Sequence, residues 1–564
     1  MTSLKPNPVA RFLPSLTDVA FLLPLAFLFL RLTGGRYLLG DGDTGWHVRT
    51  GEWILQNGRV PDKDLFSYTK AEQPWYAWEW LWDVLFAWLH RHGGMAAVLV
   101  ASMLVICFTS ALLFRLVRRN CPNVLLAFAV TLAATAGSAM HWLARPHLFT
   151  LLFVVVFLSL LERVREGRTR LLCFLPMLTV LWTNLHGGFF VGIILIGCYA
   201  AGEVALGVVE RDRDAARAAL ARSKPYFVTA FACACATLLN PYFYRLHGHL
   251  YHYLFNSRHL KYINEFQPTS FRSQLTLWHE PMALLGAVAV VWCLYHKRFA
   301  QAFIIAGWLH LALFAVRNLP IYLIVAAPAV AAVSYELLGR VRDARLAPWV
   351  RQAVHAFENL AAEFGVLDTG RRVYLTSALS FLAVATLFYL PAPTQKFRAE
   401  YDPARYPAKA LSAIRGTNHS RSTFTHDEWG DYLIYRLYPD TKVFVDGRSD
   451  FYGDEFCDKY QDVLNSRYQW EETLGRYGVD TVLLPVDAPL TGALKESRRW
   501  RPVYDDGMAI VFRSEAAQAP AGRPRGDQAS AAQPGGSEPG DRKVTNLNHR
   551  DPRITKPNKR SESL

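Results

Sequence analysis

The sequence predicts a polytopic α-helical membrane bundle over residues 1–391, an extracytoplasmic α/β domain over 395–515 and a disordered tail over 516–564. Three observations predict it. Hydrophobic residues make up 52% of the 564-residue chain and gather in long runs, and a helix needs about 20 such residues to cross a bilayer. Arginine clusters fall in alternate gaps between the runs, as the positive-inside rule demands of cytoplasmic loops. Beyond the last run, short strand-like and helix-like segments alternate, which is the pattern of a layered α/β fold.

About eleven stretches fit a span. They lie near 16–33, 95–116, 123–142, 147–162, 171–185, 189–209, 225–240, 281–296, 299–316, 320–338 and 373–391. Basic residues follow every second one: Arg115, Arg118 and Arg119; Arg163, Arg165, Arg168 and Arg170; Arg211, Arg213, Arg217, Arg222 and Lys224; Lys297 and Arg298; Arg340, Arg342, Arg345, Arg371 and Arg372. An odd number of spans starting inside puts the N-terminus in the cytoplasm of a cell with the chain in its inner membrane. The C-terminal domain then lies outside, with the loops 34–94, 140–147, 184–188, 241–280 and 317–319. The first apolar run follows Lys5 and Arg11 without a small-residue cleavage site, so it reads as a retained span.

This topology also accounts for the net charge of +14, which sits in the inner loops rather than in an aromatic-interleaved basic stripe, so nucleic acid is not an expected partner. Abundant Trp (16), Tyr (25) and Phe (34) suit the membrane–water interfaces. Of the eight cysteines only Cys121 and Cys457 fall outside apolar runs, so no disulfide framework is expected. Cys233 and Cys235 lack the second ligand pair of a zinc site. Neither a phosphate loop nor a dinucleotide fingerprint is present, and no nucleotide cofactor is expected.

In 395–515, strand-like segments are Ser422–His426, Lys442–Val445, Thr481–Pro485 and Met508–Phe512. Helix-like segments are Glu428–Leu437, Asp454–Asn465, Trp470–Tyr477 and Pro489–Arg498. The tail after about 516 is rich in Ala, Gly, Pro, Gln and Ser and cannot bury enough apolar surface to fold.

The first outer loop carries the residues most suited to chemistry. It reads Gly40-Asp41-Gly42-Asp43-Thr44-Gly45-Trp46-His47-Val48-Arg49. Two carboxylates one residue apart, with glycines that let the backbone bend, can share a divalent cation or set one base beside an orienting acid. The plain structural alternative is a turn in which Asp43 or Thr44 caps the helix Trp46–Gln56. Further on, Trp75-Tyr76-Ala77-Trp78-Glu79-Trp80-Leu81-Trp82-Asp83 suits a helix anchored in the interface. Glu79 and Asp83, four apart on one face, offer a second acidic pair.

A first span followed at once by a long outer loop with the pair Asp41 and Asp43, then interfacial helices, and a soluble domain after the last span, resembles the GT-C superfamily of membrane glycosyltransferases. That superfamily includes protein O-mannosyltransferases, oligosaccharyltransferases and bacterial lipid A aminoarabinose transferases. The resemblance implies a GT-C-like bundle that transfers a sugar, with inversion, from a polyprenyl phosphate or diphosphate carrier to an envelope glycan, lipid or protein. Asp43 would be the acceptor-activating base or a ligand of a divalent metal, Mg or Mn, and Asp41 its partner. Protein O-mannosyltransferases carry an adjacent Asp-Glu at this place, so the departure leaves the acceptor and metal dependence open.

Other outer-edge residues would complete a substrate site with His47, Arg49 and Glu79. Arg145-Pro146-His147 begins one span, Asn184-Leu185-His186-Gly187-Gly188 separates two, and Arg317-Asn318 ends another. Ionisable groups at membrane ends are costly unless paired or functional, and an arginine fork suits a lipid phosphate; snorkelling to the interface is the plainer reading of Arg145 and Arg317. The loop 241–280 holds His247, His249, His252, His259, Glu265, His279 and Glu280 without a zinc spacing and reads as a polar cover. At Asp446-Gly447-Arg448-Ser449-Asp450 and at His426–Asp431, strand ends carry acids that suit acceptor recognition or packing onto the bundle. Two other classes compete. A transporter of lipid-linked glycans should show internal repeats and mid-membrane polar residues, and neither is visible; a non-catalytic envelope scaffold should tolerate loss of the Asp43 carboxylate.

Overall fold

Apolar runs of this length satisfy their backbone internally as helices, and the computed structural model shows a helix at each predicted stretch. It describes residues 12–255, 259–272, 278–345, 347–367, 372–415 and 422–515. Five helical segments are long and apolar enough to cross a membrane: Trp80–Asn120, Val124–His141, His147–Arg165, Gly187–Val209 and Val316–Asp343. Five further apolar ones, Leu16–Leu30, Thr169–Leu185, His279–Tyr295, Phe299–Phe314 and Leu375–Leu387, are shorter. The helix Arg213–Ala236 joins the charged stretch before residue 225 to the apolar one after it. The first and last of the apolar helices are tied together by Asp18, whose carboxylate accepts from Ser15 Oγ and Ser377 Oγ, both at 2.6 Å.

The 41-residue helix Trp80–Asn120 is broken at Gly94, where φ is 64°. Such a left-handed residue strains any side chain but costs glycine little. The break separates an amphipathic first part, with Trp82, Asp83, Phe86 and Ala87 buried and Leu85 and Trp88 exposed, from the apolar remainder. One helix was not anticipated: Pro348–Leu367, inside the basic loop after residue 340. Another, Arg245–Phe255, begins the polar loop 241–280.

After the bundle comes a five-stranded sheet of β1 (Ser422–Thr425), β2 (Lys442–Val443), β3 (Thr481–Pro485), β4 (Trp500–Asp505) and β5 (Ala509–Ser514), in the order β2-β1-β3-β5-β4. β1 runs parallel to β2 and β3, while β5 is antiparallel to β3 and β4. β4 escaped the sequence reading because Pro502 argues against a strand. Here Pro502 sits on an edge, at a register shift before Tyr504, where its missing N–H does no harm. Phe424, Phe444, Val482, Leu484, Ile510 and Phe512 form a core for one face of the sheet.

The β2 edge is covered by the first loop. Ser67 bridges Val443 in parallel; Val443 N–H donates to Phe66 O at 3.0 Å and Tyr68 N–H to Val443 O at 3.1 Å. A sheet edge that would otherwise offer free N–H and C=O groups is thereby closed. The helix Asp427–Leu437 packs against the helix Asp43–Asn57, and this contact brings the α/β region over the acidic loop. The predicted tail over 516–564 lies outside the described residues.

Candidate active site

Asp41 and Asp43 stand at the start of the helix Asp43–Asn57. Its N-cap is Gly42, which makes no side-chain cap bond, so the expected capping by Asp43 or Thr44 does not occur. Asp43 is itself helical, and Asp41 Oδ1 accepts its N–H at 2.8 Å, one of the donors that a helix start leaves open. Thr44 donates from Oγ1 to Ala144 O at 3.1 Å, and Ala144 N–H donates to Leu38 O at 2.8 Å. These two bonds sew the 142–146 connector to the first loop and bring Arg145 to the acidic pair.

Arg145 forks across both carboxylates. Its Nη1 lies 2.6 Å from Asp41 Oδ2 and its Nη2 2.5 Å from Asp43 Oδ2. Trp46 Nε1 donates to the remaining Asp43 oxygen at 3.2 Å. Burial pushes both aspartates above the usual carboxylate range, against the pull of Arg145. The arrangement does not present a metal site: a guanidinium faces the two carboxylates, and among the described residues no group of three His, Cys, Asp or Glu side chains could hold an ion.

The α/β region closes over this pair. Gly447 N–H donates to Asp431 Oδ1 at 2.8 Å, and a methyl on Gly447 would overlap Asp43 Oδ1 and lie 2.8 Å from Asp431 Oδ2. Asp431 is buried and pushed well above the usual range by burial, with Asp43 and Asp446 adding to it. One residue beyond Gly447, the buried Arg448 grips Asp446 through Nε (2.8 Å) and Nη2 (2.6 Å) and reaches Asp64 of the first loop at 2.8 Å. Its guanidinium is packed by the rings of Phe66, Trp75 and Phe451 at 5.0, 4.5 and 5.1 Å.

A second cluster surrounds Glu79. His47 Nδ1 lies 2.6 Å from Asp83 Oδ1, and its Nε2 faces Glu79 Oε2 at 3.9 Å. His186 Nε2 faces Glu79 Oε1 at 3.7 Å. Gly51, one turn after His47, permits this approach, since a methyl there would overlap the Asp83 backbone. Burial raises the Glu79 carboxyl to about 7. Burial, with Arg145 and other cationic neighbours, holds His47 well below its ordinary value; burial, with Arg317 and Arg145, lowers His186 to about 3.

A third group lies where the 259–266 turns meet the 316–318 turn. Glu265 Oε1 is 3.7 Å from Arg317 Nη1, and the Arg317 guanidinium sits 4.2 Å from the centre of the Phe266 ring. Burial alone would raise Glu265, but Arg317 and Arg145 outweigh it and hold the carboxyl at about 2.

The remaining sequence-predicted site residues are placed as follows. His147 Nε2 donates to His141 O at 2.6 Å, and its ring centre is 6.4 Å from that of His186. Asn184 accepts from Trp80 Nε1 at 2.7 Å and donates to Val180 O and Leu239 O, so its amide fixes the helix that follows Glu79. Arg49 donates to Tyr435 O and to Glu52 Oε2, clasping the helix Asp427–Leu437 to its own. Asp431 and Gly447 were legible only as a polar edge, Glu265 only as part of a polar loop, and Asp64 carried no sequence signal.

No family model matches the sequence, and no curated protein matches it. Solved structures do. The apo oligosaccharyltransferase of Archaeoglobus fulgidus aligns with 84% of this chain and 69% of its own, at a TM-score of 0.52 and 11% identity. The chain has the GT-C fold. Two further structures of the archaeal enzyme, both 11% identical, align over 89% and 90% of this chain and 74% of theirs, with TM-scores of 0.49 and 0.47. One holds an inhibitory peptide and a dolichol-phosphate, the other Zn and sulfate. On the GT-C fold of this chain, the acidic loop, Arg145 and the α/β region meet at one place.

Proposed function

We propose that the chain is a membrane glycosyltransferase that moves a sugar from a polyprenyl-phosphate carrier to an envelope glycan, lipid or protein at the outer face of the cell membrane. The observation that supports this most is the Arg145 fork across Asp41 and Asp43 on a GT-C fold. A sugar or protein hydroxyl is a poor nucleophile, and a fixed carboxylate at its side aligns it for attack on the anomeric carbon. Asp43 takes that role, with Asp41 holding the start of its helix. As the new C–O bond forms, the hydroxyl proton passes to a carboxylate of the site, the bond from the anomeric carbon to the phosphate oxygen breaks, and its electron pair leaves with the phosphate. Arg145, its fork held by the two aspartates, and Arg317 supply positive charge to that leaving group.

The test is Asp43→Asn in a deletion strain. The amide keeps the size and removes the charge, so normal membrane abundance with a transfer rate lower by roughly a hundredfold or more is expected. Envelope glycans and lipid-linked saccharides restored to wild-type rate and level would return Asp43 to a purely structural place.

A further inference from the structure

We infer that Glu79 is a second catalytic residue, the group that receives the acceptor's proton, with His47 and Asp83 as its positioning partners. The inference rests on the transfer reading above and deepens it.

His186 has its tautomer fixed by the backbone. Gly188 N–H donates to His186 Nδ1 at 3.0 Å, and Thr150 Oγ1, which itself accepts from Trp182 Nε1 at 2.8 Å, lies 2.7 Å from the same nitrogen. With Nδ1 an acceptor, the neutral ring carries its proton on Nε2 and aims it at Glu79 Oε1, 3.7 Å away. His47 is held in the same tautomer by a side chain. Asp83 is buried with Oδ2 unpartnered, which favours the neutral acid; its Oδ1 donates to His47 Nδ1 at 2.6 Å, and the ring proton on Nε2 faces Glu79 Oε2 at 3.9 Å.

Glu79 therefore faces two ring N–H groups, and it accepts from the backbone N–H of Gly187 as well. Burial resists its ionisation while these donors support the ionised form, so the carboxyl is poised to change state. Separations of 3.7 and 3.9 Å are bridged by one water or tighten when substrate binds.

Asp43 is less suited to that role. Its Oδ2 is ion-paired with Arg145 and its Oδ1 accepts from Trp46, so it orients the hydroxyl while Glu79 takes the proton. The balance is one acceptor proton to Glu79, one C–O bond formed, one broken, and the electron pair on the carrier phosphate. The charged groups facing Glu79 are His47 and Asp43 on the helix Asp43–Asn57, Asp83 on its own helix, Arg145 on the connector, His186 at its break and Asp450 of the α/β region. Burial dominates among them and places the Glu79 titration at about 7, where a base is most effective at neutral pH.

The experiment uses membranes of a deletion strain, whose accumulated lipid-linked saccharides are the substrate, with full-length protein added back and carrier-phosphate release followed from about pH 5.5 to about 8.5. Wild-type rate should rise through about pH 7 as Glu79 ionises. Glu79→Gln should lose roughly a hundredfold and the pH limb with it; Glu79→Asp should keep a limb at reduced rate; His47→Gln should move the limb. Infrared difference spectra of purified protein give a second readout that does not depend on turnover or on a variant's yield: a protonated-carboxyl band lost between about pH 6 and about pH 8 in the wild type and missing in Glu79→Gln. A Glu79→Gln enzyme with wild-type rate and profile, beside an inactive Asp43→Asn, overturns this assignment and leaves the transfer reading standing. Wild-type turnover in both variants overturns both.

Discussion

Gly447 of the α/β region lies directly against the Asp43 carboxylate, so that a methyl group at residue 447 would occupy the place of Asp43 Oδ1. Gly447 is also open to solvent, which makes it the rim of the acidic centre rather than part of a sealed core. Gly447→Ala is therefore expected to displace Asp43 or lift the α/β region from it, and to reduce transfer roughly a hundredfold, on the scale of losing an aligned carboxylate. Membrane abundance should stay normal, because an exposed backbone position can relax outward. Carrier-phosphate release and immunoblotting of membranes check it, and an unaltered rate would separate the rim from the chemistry.

The second prediction concerns how that rim is held. Arg448, Asp446 and Asp64 form a buried ion cluster that joins the α/β region to the first loop, and Tyr452 adds its hydroxyl to Asp446 at 2.8 Å. Removing one partner of such a cluster leaves an unmatched buried charge and costs about 3–5 kcal/mol. Arg448→Met should lower the melting temperature of the detergent-solubilised protein clearly. Adding Asp446→Leu should recover part of the loss, because the orphaned charge goes with it. A single variant as stable as the wild type would show that the aromatic packing around Arg448, not its charge, holds the regions together.

Much of this was legible in the sequence and some of it was not, for physical reasons. Helices follow from local patterns: the glycines at 93–94 mark the break before the apolar run, and the arginine clusters mark the loops. Four strands of five read correctly because their β-branched and aromatic runs are local too, whereas Pro502 disguises an edge strand. The acidic pair and Arg145 were named as candidates, but their pairing joins residues 104 apart in sequence and no spacing rule reaches that far. The same holds for Asp64 with Arg448, 384 apart. Arg49 and Asn184 looked like site residues because they are polar beside apolar runs; their bonds to Tyr435 and to Trp80 and Leu239 are tertiary facts.

The last prediction tests the shape of Arg145 apart from its charge. A guanidinium presents two parallel N–H edges, and here one meets Asp41 at 2.6 Å and the other Asp43 at 2.5 Å. An ammonium is a single point charge that cannot satisfy both carboxylates in one plane. Arg145→Lys keeps the charge and should still lose roughly a hundredfold in carrier-phosphate release, in the range found when one donor is taken from a charge-stabilising site. Arg145→Gln removes the charge as well, and both Asp41 and Asp43, already pushed up by burial, should rise further. A carboxyl whose folded value lies above its unfolded one binds its proton more tightly in the folded state, so the stability it contributes is present at low pH and declines as pH rises through the folded value. Arg145→Gln should accordingly melt at progressively lower temperature from about pH 5 to about pH 8, relative to the wild type. A lysine variant with wild-type turnover would mean that positive charge alone serves the leaving phosphate and that the fork only holds the loop.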